Sequence, residues 1–190
     1  MNGRGKRATL PPTSHIIITT SRRPSPRTRS LVKDLVGIIP GALSLTRGHL
    51  TYQELSIEAA TLGADRVVIL GEKRGNPSII RIYRPSPPND LENIVTIIIK
   101  GVKLSREAGT PSKVEARSLT ANPDDGEASM QIAEALVRGL HARLRADSSS
   151  VIANLRTVDD RESMLSFTYR NVQVGPVLRL GIPLRMIKDA

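Results

Sequence analysis

Four arginines, Arg22, Arg23, Arg27 and Arg29, surround the pair Ser25 and Pro26, and Lys33 follows one helical turn later. A serine N-cap ahead of a proline at the first helical position marks a helix start, because the N–H that proline lacks has no partner there anyway. Leu31, Val32, Leu35, Val36 and Ile39 then recur at helical spacing, with Gly37 and Pro40 marking the far end. A helix N-terminus favours an anion through its unpaired N–H groups and its dipole. Cationic side chains there oppose that dipole and gain the helix nothing, whereas they fit a phosphate held between them and the helix end. Arginine outnumbers lysine 21 to 7, and its planar fork suits bidentate phosphate contacts. The blander reading is a solvated, arginine-rich surface.

The charge distribution favours a polyanion. The chain carries 28 Lys and Arg against 18 Asp and Glu, a net +10. Residues 1–50 hold nine bases and one acid, Asp34, for +8, which leaves +2 for the other 140 residues. Basic excess at one end is the footprint of nucleic-acid binding, where phosphate contacts release condensed counterions. Phe167, Tyr52, Tyr83 and Tyr169 are too few to build stacking platforms, so recognition is expected to lean on backbone and shape.

Residues for catalysis are sparse. The chain has no Cys, hence no thiol nucleophile, disulfide or thiolate zinc site. His15, His49 and His141 lie far apart, and neither a phosphate loop ending in Gly-Lys-Ser/Thr nor a Gly-x-Ser-x-Gly elbow occurs. Asp124 and Asp125 fit a helix start, and Asp159, Asp160 and Glu162 fit a turn. No catalytic residue, metal, cofactor or small-molecule substrate is expected.

The elements that must position the basic cluster read as an α/β pattern. Apolar residues make up 39% of the 190, a globular share. The longest apolar runs, around 16–18 and 94–99, fall short of the roughly 18 residues a membrane helix needs, and no signal peptide opens the chain; a soluble, unexported protein without membrane contact is expected. Residues 1–14, with Arg4, Lys6 and Arg7, read as a mobile basic arm. Strands are expected at 15–20 and 42–46, then a turn at Arg47 and Gly48, and a helix opened by a Thr51/Glu54 capping box and closed by Gly63. Further strands fall at 66–70 and 78–83, joined by a turn over 72–77. The three prolines of 84–90 suggest a boundary. Beyond it come one long strand at 94–104 or two abutting at Gly101, loop over 108–125, and a helix built on Ile132, Leu136, Leu140 and Leu144, with Arg143 and Arg145 at its end. Strands at 151–157, 164–169 and 177–187 complete the chain, Pro183 placing the last at a sheet edge.

The run from Ile18 through Thr19, Thr20, Ser21, Arg22, Arg23, Pro24, Ser25, Pro26, Arg27, Thr28 and Arg29, then Lys33, Asp34, Leu35, Pro40, Ala42 and Thr46, Arg47, Gly48, resembles the opening of Brix-domain ribosome-assembly proteins. The turn from Gly71 to Pro77 is similar to that family's charged Arg-Gly-x-Pro turn, and the match spans residues 15–187. One departure is Val177 and Leu178 after Gly175 and Pro176, where the family often has Gly-Pro-Arg-Phe.

The resemblance implies an α/β fold of two similar halves of mixed β-sheet with packed helices, each like the anticodon-binding domain of class II aminoacyl-tRNA synthetases. The halves are placed at about 15–84 and 91–187, with a linker at 85–90. It implies a non-catalytic role in ribosome biogenesis, with ribosomal RNA or its precursor and other assembly proteins as partners. The compact length suggests an archaeal type and a cytoplasmic location, nucleolar in a eukaryote. The residues expected to grip RNA are Arg22, Arg23, Arg27, Arg29 and Lys33, with Arg47 and Arg74 at turns on the same rim. Two alternatives are a protein-interaction scaffold docking through an exposed sheet edge such as 177–187, and a binder of tRNA or another structured RNA. An enzyme acting on phosphate compounds is the weakest reading.

Overall fold

The computed structural model describes residues 15–86, 88, 90–145 and 149–186. The expected arm at 1–14 lies outside the described residues, as do positions 87 and 89 of the expected linker and position 187 at the end of the domain. The chain opens with β1 (His15–Thr20), α1 (Pro26–Ile38), β2 (Ala42–Ser44), α2 (Tyr52–Thr61), β3 (Ala64–Lys73), β4 (Asn76–Ser86) and β5 (Asp90–Lys103). It continues with α3 (Ser105–Ala108), β6 (Ser118–Pro123), α4 (Glu127–Leu140), β7 (Ser150–Asp159), β8 (Glu162–Tyr169), β9 (Val172–Gly181) and β10 (Arg185–Met186).

All ten strands join one mixed sheet in the order β2-β1-β3-β4-β5-β9-β8-β7-β6, with β10 on β5. The isoleucines of β1 are buried on both faces, as a strand flanked by parallel neighbours requires: β2 and β3 both run parallel to it. From β3 the sheet turns antiparallel through β4 and β5. The second stretch repeats that order, since β6 and β7 are parallel and β7, β8 and β9 are antiparallel. An isolated parallel bridge between Thr120 and Arg143 stands where β2 stands in the first stretch.

α1 and α4 pack on one face in a single cluster that runs from Ile16 and Ile18 of β1 to Leu180 of β9. α2 covers the other face of the first stretch, over Ile17, Val67 and Ile69. Each helix of the shared core also meets the other stretch. Gly175 of β9 takes a left-handed φ of 67°, and a Cβ there would lie 2.4 Å from Ile38 Cδ1 of α1. Gly139 of α4 lies equally close to Ile82 of β4.

Several expectations are corrected. Of the expected linker, Pro85, Ser86 and Asp90 belong to strands: Pro85 pairs with Leu91 and Ser86 with Asp90 in the β4–β5 hairpin. The two stretches meet along β5 instead, which pairs with β4 up to Ile98 and with β9 from Ile99 onward, its register shifting just before Gly101. The stretch 108–125 is not all loop but contains β6, whose pattern is weak because only Leu119 and Ala121 are apolar before Pro123. α4 ends at Leu140 because His141 takes a left-handed φ of 55°, so Arg143 and Arg145 lie beyond the helix and Leu144 is 70% exposed. The expected strand 177–187 splits at Ile182 and Pro183, and its first part, β9, is interior, between β5 and β8. Among the described residues, 177–186 therefore supply no long exposed edge; the ends of the sheet's main path are β2 and β6.

Candidate nucleic-acid interface

β1 leads through α1 to β2, and β2 leads back through α2 to β3 on the far side of β1, with the two helices on opposite faces. Where connections diverge in this way, a crevice opens beyond the carboxyl ends of the strands. Here it is a cleft of about 510 Å³, lined by the end of β1 (Thr19, Thr20), the loop after it (Arg23, Pro24), α1 (Arg29, Val32, Lys33) and the segment Ser44–His49. Arg23, Arg29, Lys33 and Arg47 thus converge on one concavity, joined by His49, and no carboxylate lines it.

Local structure holds these walls. Arg23 sits at a left-handed φ of 53° in the tight turn between β1 and α1. Arg22 lies outside the lining and donates from Nη2 to the His49 carbonyl at 3.2 Å, lacing one wall to the other. Arg29 donates to the Pro24 carbonyl at 3.0 Å. Arg47, only 8% exposed, donates from Nε to the Leu50 carbonyl and lies 4.9 Å from the centroid of the Tyr52 ring. Tyr52 in turn meets Tyr83 at 5.5 Å between ring centroids. Burial, reinforced by the Tyr52 hydroxyl, pushes the Tyr83 phenol well above its usual range.

The structure gives the α1 N-terminus itself to an internal anion. Ser25 caps the helix, its Oγ accepting from the Thr28 N–H. The Glu72 carboxylate, from β3, accepts from the Ser25 N–H at 2.8 Å and from the Thr28 hydroxyl at 2.7 Å. The Ser25 N–H, with further help from Thr28 and Arg29, holds the Glu72 carboxyl below the usual range against the opposing effect of burial. The place expected for a phosphate between the arginines and the helix end is therefore filled by this side chain.

Arg27 also turns away from the cleft. Its fork binds both carboxylate oxygens of Glu107 in α3, and Nη2 donates to the Val102 carbonyl at 2.9 Å. This ion pair, with the Leu104 N–H, lowers the Glu107 carboxyl. Asp34, buried on α1, accepts from the Ser105 N–H at 2.8 Å and so ties the same helix to α3. Arg74 is exposed, at φ 52° in the β3–β4 turn. It stands at the same end of the sheet as the cleft, because β3 runs on past Leu70, the partner of Thr20.

Of the seven expected residues, the cleft lining unites Arg23, Arg29, Lys33 and Arg47, while Arg22 braces it, Arg74 flanks it and Arg27 belongs to the α1–α3 joint. Sequence reasoning passed over the hydroxyls of Thr20, Ser44 and Thr46, and His49 as a wall residue. It also passed over Glu72, which is separated from Ser25 by 47 positions and marked only by its place in the Gly71–Pro77 turn. Among the described residues no group of His, Asp and Glu could hold a metal ion, and no helix is long and apolar enough to cross a membrane.

A mixed sheet with helices packed on it and a carboxylate-free basic cleft beyond its parallel strands places the molecule in the class of α/β proteins with a crevice at the carboxyl ends of the strands. No family model matches the chain. It is 48% identical over 175 residues, 90% of this chain and 97% of the relative, to a "Probable Brix domain-containing ribosomal biogenesis protein" of Aeropyrum pernix. A protein of the same description from Methanococcus maripaludis is 29% identical over 87% of this chain and 94% of its own length. The crystal structure of a ribosomal biogenesis protein from Aeropyrum pernix K1 superposes with a TM-score of 0.87 at 46% identity, covering 92% of this chain and 99% of that one. Mil, an archaeal Imp4-like protein, shares the fold at a TM-score of 0.68 and 19% identity, over 89% of this chain and 98% of its own. The chain belongs to the Brix domain-containing ribosomal biogenesis proteins.

Proposed function

We propose that this protein binds ribosomal RNA or its precursor through the cleft beyond β1 and β2, without catalysis, and so assists rRNA folding or processing alongside other assembly proteins. The observation that carries the reading is the convergence of Arg23, Arg29, Lys33 and Arg47 on one cleft lined by no carboxylate. Four cations aimed at one concavity attract phosphate, and no partner within the described fold neutralises Arg23 or Lys33. The relatives' role in ribosomal biogenesis makes ribosomal RNA the first polyanion to test. The repeated strand order supports two related halves that share β5, and a cytoplasmic location fits an archaeal assembly factor. Each half is proposed to resemble the anticodon-binding domain of class II aminoacyl-tRNA synthetases.

The test is binding to ribosomal RNA fragments over a salt series, for the wild type and for Arg23→Ala/Arg29→Ala/Lys33→Ala. Phosphate contacts by Arg23, Arg29 and Lys33 predict a slope of log affinity against log salt of about −2, falling to near zero in the triple variant, at roughly 0.7 per phosphate for single strands. An unchanged slope overturns the assignment of the cleft, and no binding by the wild type overturns the RNA reading.

A further inference from the structure

We propose that the cleft is a receptacle for one unpaired, unstacked nucleotide of the RNA, so that the protein selects a bulge or loop over a continuous helix. The inference rests on the RNA reading above and adds to it what the site holds.

A surface that only tracked a phosphate backbone would be a shallow basic stripe. This site is a concavity of about 510 Å³ with a divided lining. That volume falls within the range of about 300–1,000 Å³ of clefts that engulf a small ligand, a size that suits a nucleotide and excludes a base-paired helix. Arg29 and Lys33 supply one cationic wall from successive turns of α1. Pro24, Val32 and Leu45 supply apolar surface, which a phosphate has no use for and a base or ribose does.

Arg47 marks where the base would lie. Its guanidinium is buried rather than extended into solvent, and the Leu50 carbonyl and the Tyr52 ring hold it in place. The chain of contacts from Tyr83 through the tilted ring of Tyr52 to Arg47 therefore ends in the cleft wall. Unpaired bases are recognised by stacking on aromatic rings or on arginine planes. Close by, Thr20 is 8% exposed and no described residue bonds its hydroxyl. With Ser44 and Thr46 it offers neutral donors and acceptors of the kind that read a base edge or a ribose hydroxyl. Such groups add little to a site that binds charge alone.

The experiment compares two RNA hairpins, each closed by a non-nucleotide linker so that neither has loop bases, that differ by one bulged adenosine, with 2-aminopurine at the bulge as an optical probe. The full chain is expected to bind the bulged hairpin at least tenfold more tightly, and probe emission is expected to rise as the base leaves the helix stack. Thr46→Phe, at an exposed position of the lining, fills the cleft without changing charge; it should abolish the preference, so that the two hairpins bind alike. Equal binding of the two hairpins with unchanged emission overturns the receptacle and leaves the RNA reading standing, whereas binding of neither overturns both. If Thr46→Phe fails to fold, the hairpin preference and the emission change of the wild type still decide the question. Adenosine monophosphate is the third arm. It should bind at least a hundredfold more weakly than the bulged hairpin, and equal affinity would mean a site for free nucleotides and overturn the proposal.

Discussion

Replacing Glu72 tests whether the α1 N-terminus is an internal joint or an open anion site. The Glu72 carboxylate accepts one backbone and one hydroxyl hydrogen bond, from Ser25 at 2.8 Å and Thr28 at 2.7 Å. Hydrogen bonds to a charged group contribute about 1.5–3 kcal/mol each when shielded; Glu72 is only half-buried, so solvent screening brings the pair down to about 2 kcal/mol. With m of about 2–3 kcal/mol/M, Glu72→Ala should lower the urea midpoint by about 0.7–1 M at neutral pH. The carboxyl titrates below its usual value in the fold, so its contribution is present above the unfolded value of about 4.3 and is lost as pH falls through the folded one. The gap between wild type and variant should therefore close in acid. RNA affinity should move the other way, rising about twofold at low salt as a negative charge leaves the end of the sheet that carries the cleft. An unchanged midpoint, or a gap that persists undiminished in acid, would refute the assignment of Glu72 as the anion that satisfies α1.

Four further substitutions separate the joint from the cleft and probe the packing between the two stretches. Arg27→Ala should lower the melting temperature, because Glu107 and the Val102 carbonyl lose their partner, and should leave the salt slope of RNA binding unchanged; Arg29→Ala should reduce that slope by about 0.7 with little effect on melting. Gly37→Ala drives a Cβ to 1.9 Å from the Ser112 carbonyl oxygen and should cost about 3 kcal/mol by urea unfolding. Gly175→Ala meets a side chain that can shift, Ile38, but must hold a left-handed conformation, and should cost about 2 kcal/mol.

How much the residues disclose depends on the range of the interaction that decides each feature. The starts of α1 and α2 are legible because a cap is built from neighbours: Ser25 accepts from Thr28, and Thr51 exchanges bonds with Glu54. The consecutive isoleucines of β1 announce a strand buried on both faces for the same reason. The anion at the α1 N-terminus is not legible, because Glu72 arrives from 47 residues away. The partner of Arg27 lies 80 residues away, so four clustered arginines read as one patch when the fold sends one of them to an ion pair. Pro183 suggests an edge, yet β9 is interior, since a strand's neighbours are set by the path of the whole chain and not by its own side chains.

The recurrence of one strand order gives the fold two comparable strand–helix junctions. In each stretch a strand runs into a helix beside a parallel neighbour: β1 into α1 next to β3, and β6 into α4 next to β7. Such a junction offers a helix N-terminus to an anion twice over. At the second, Asp124 accepts from the Gly126 and Thr157 N–H groups and the Ser129 and Thr157 hydroxyls, which hold its carboxyl far below the usual range. Gly126 leaves no open space there either, since a Cβ would lie 1.9 Å from Thr157 Oγ1. Asp125 and Glu127 add negative charge, so that junction is closed and repels phosphate. At the first, Glu72 satisfies the helix in the same way, but from the neighbouring strand, and the loop from Ser21 to Pro24 is left to carry Arg22 and Arg23 beside the open cleft. Both helix starts are thus internally neutralised. What separates them is the lining next door, and in the proposed role RNA would enter and leave a cationic cleft beside a satisfied helix without the helix losing its cap.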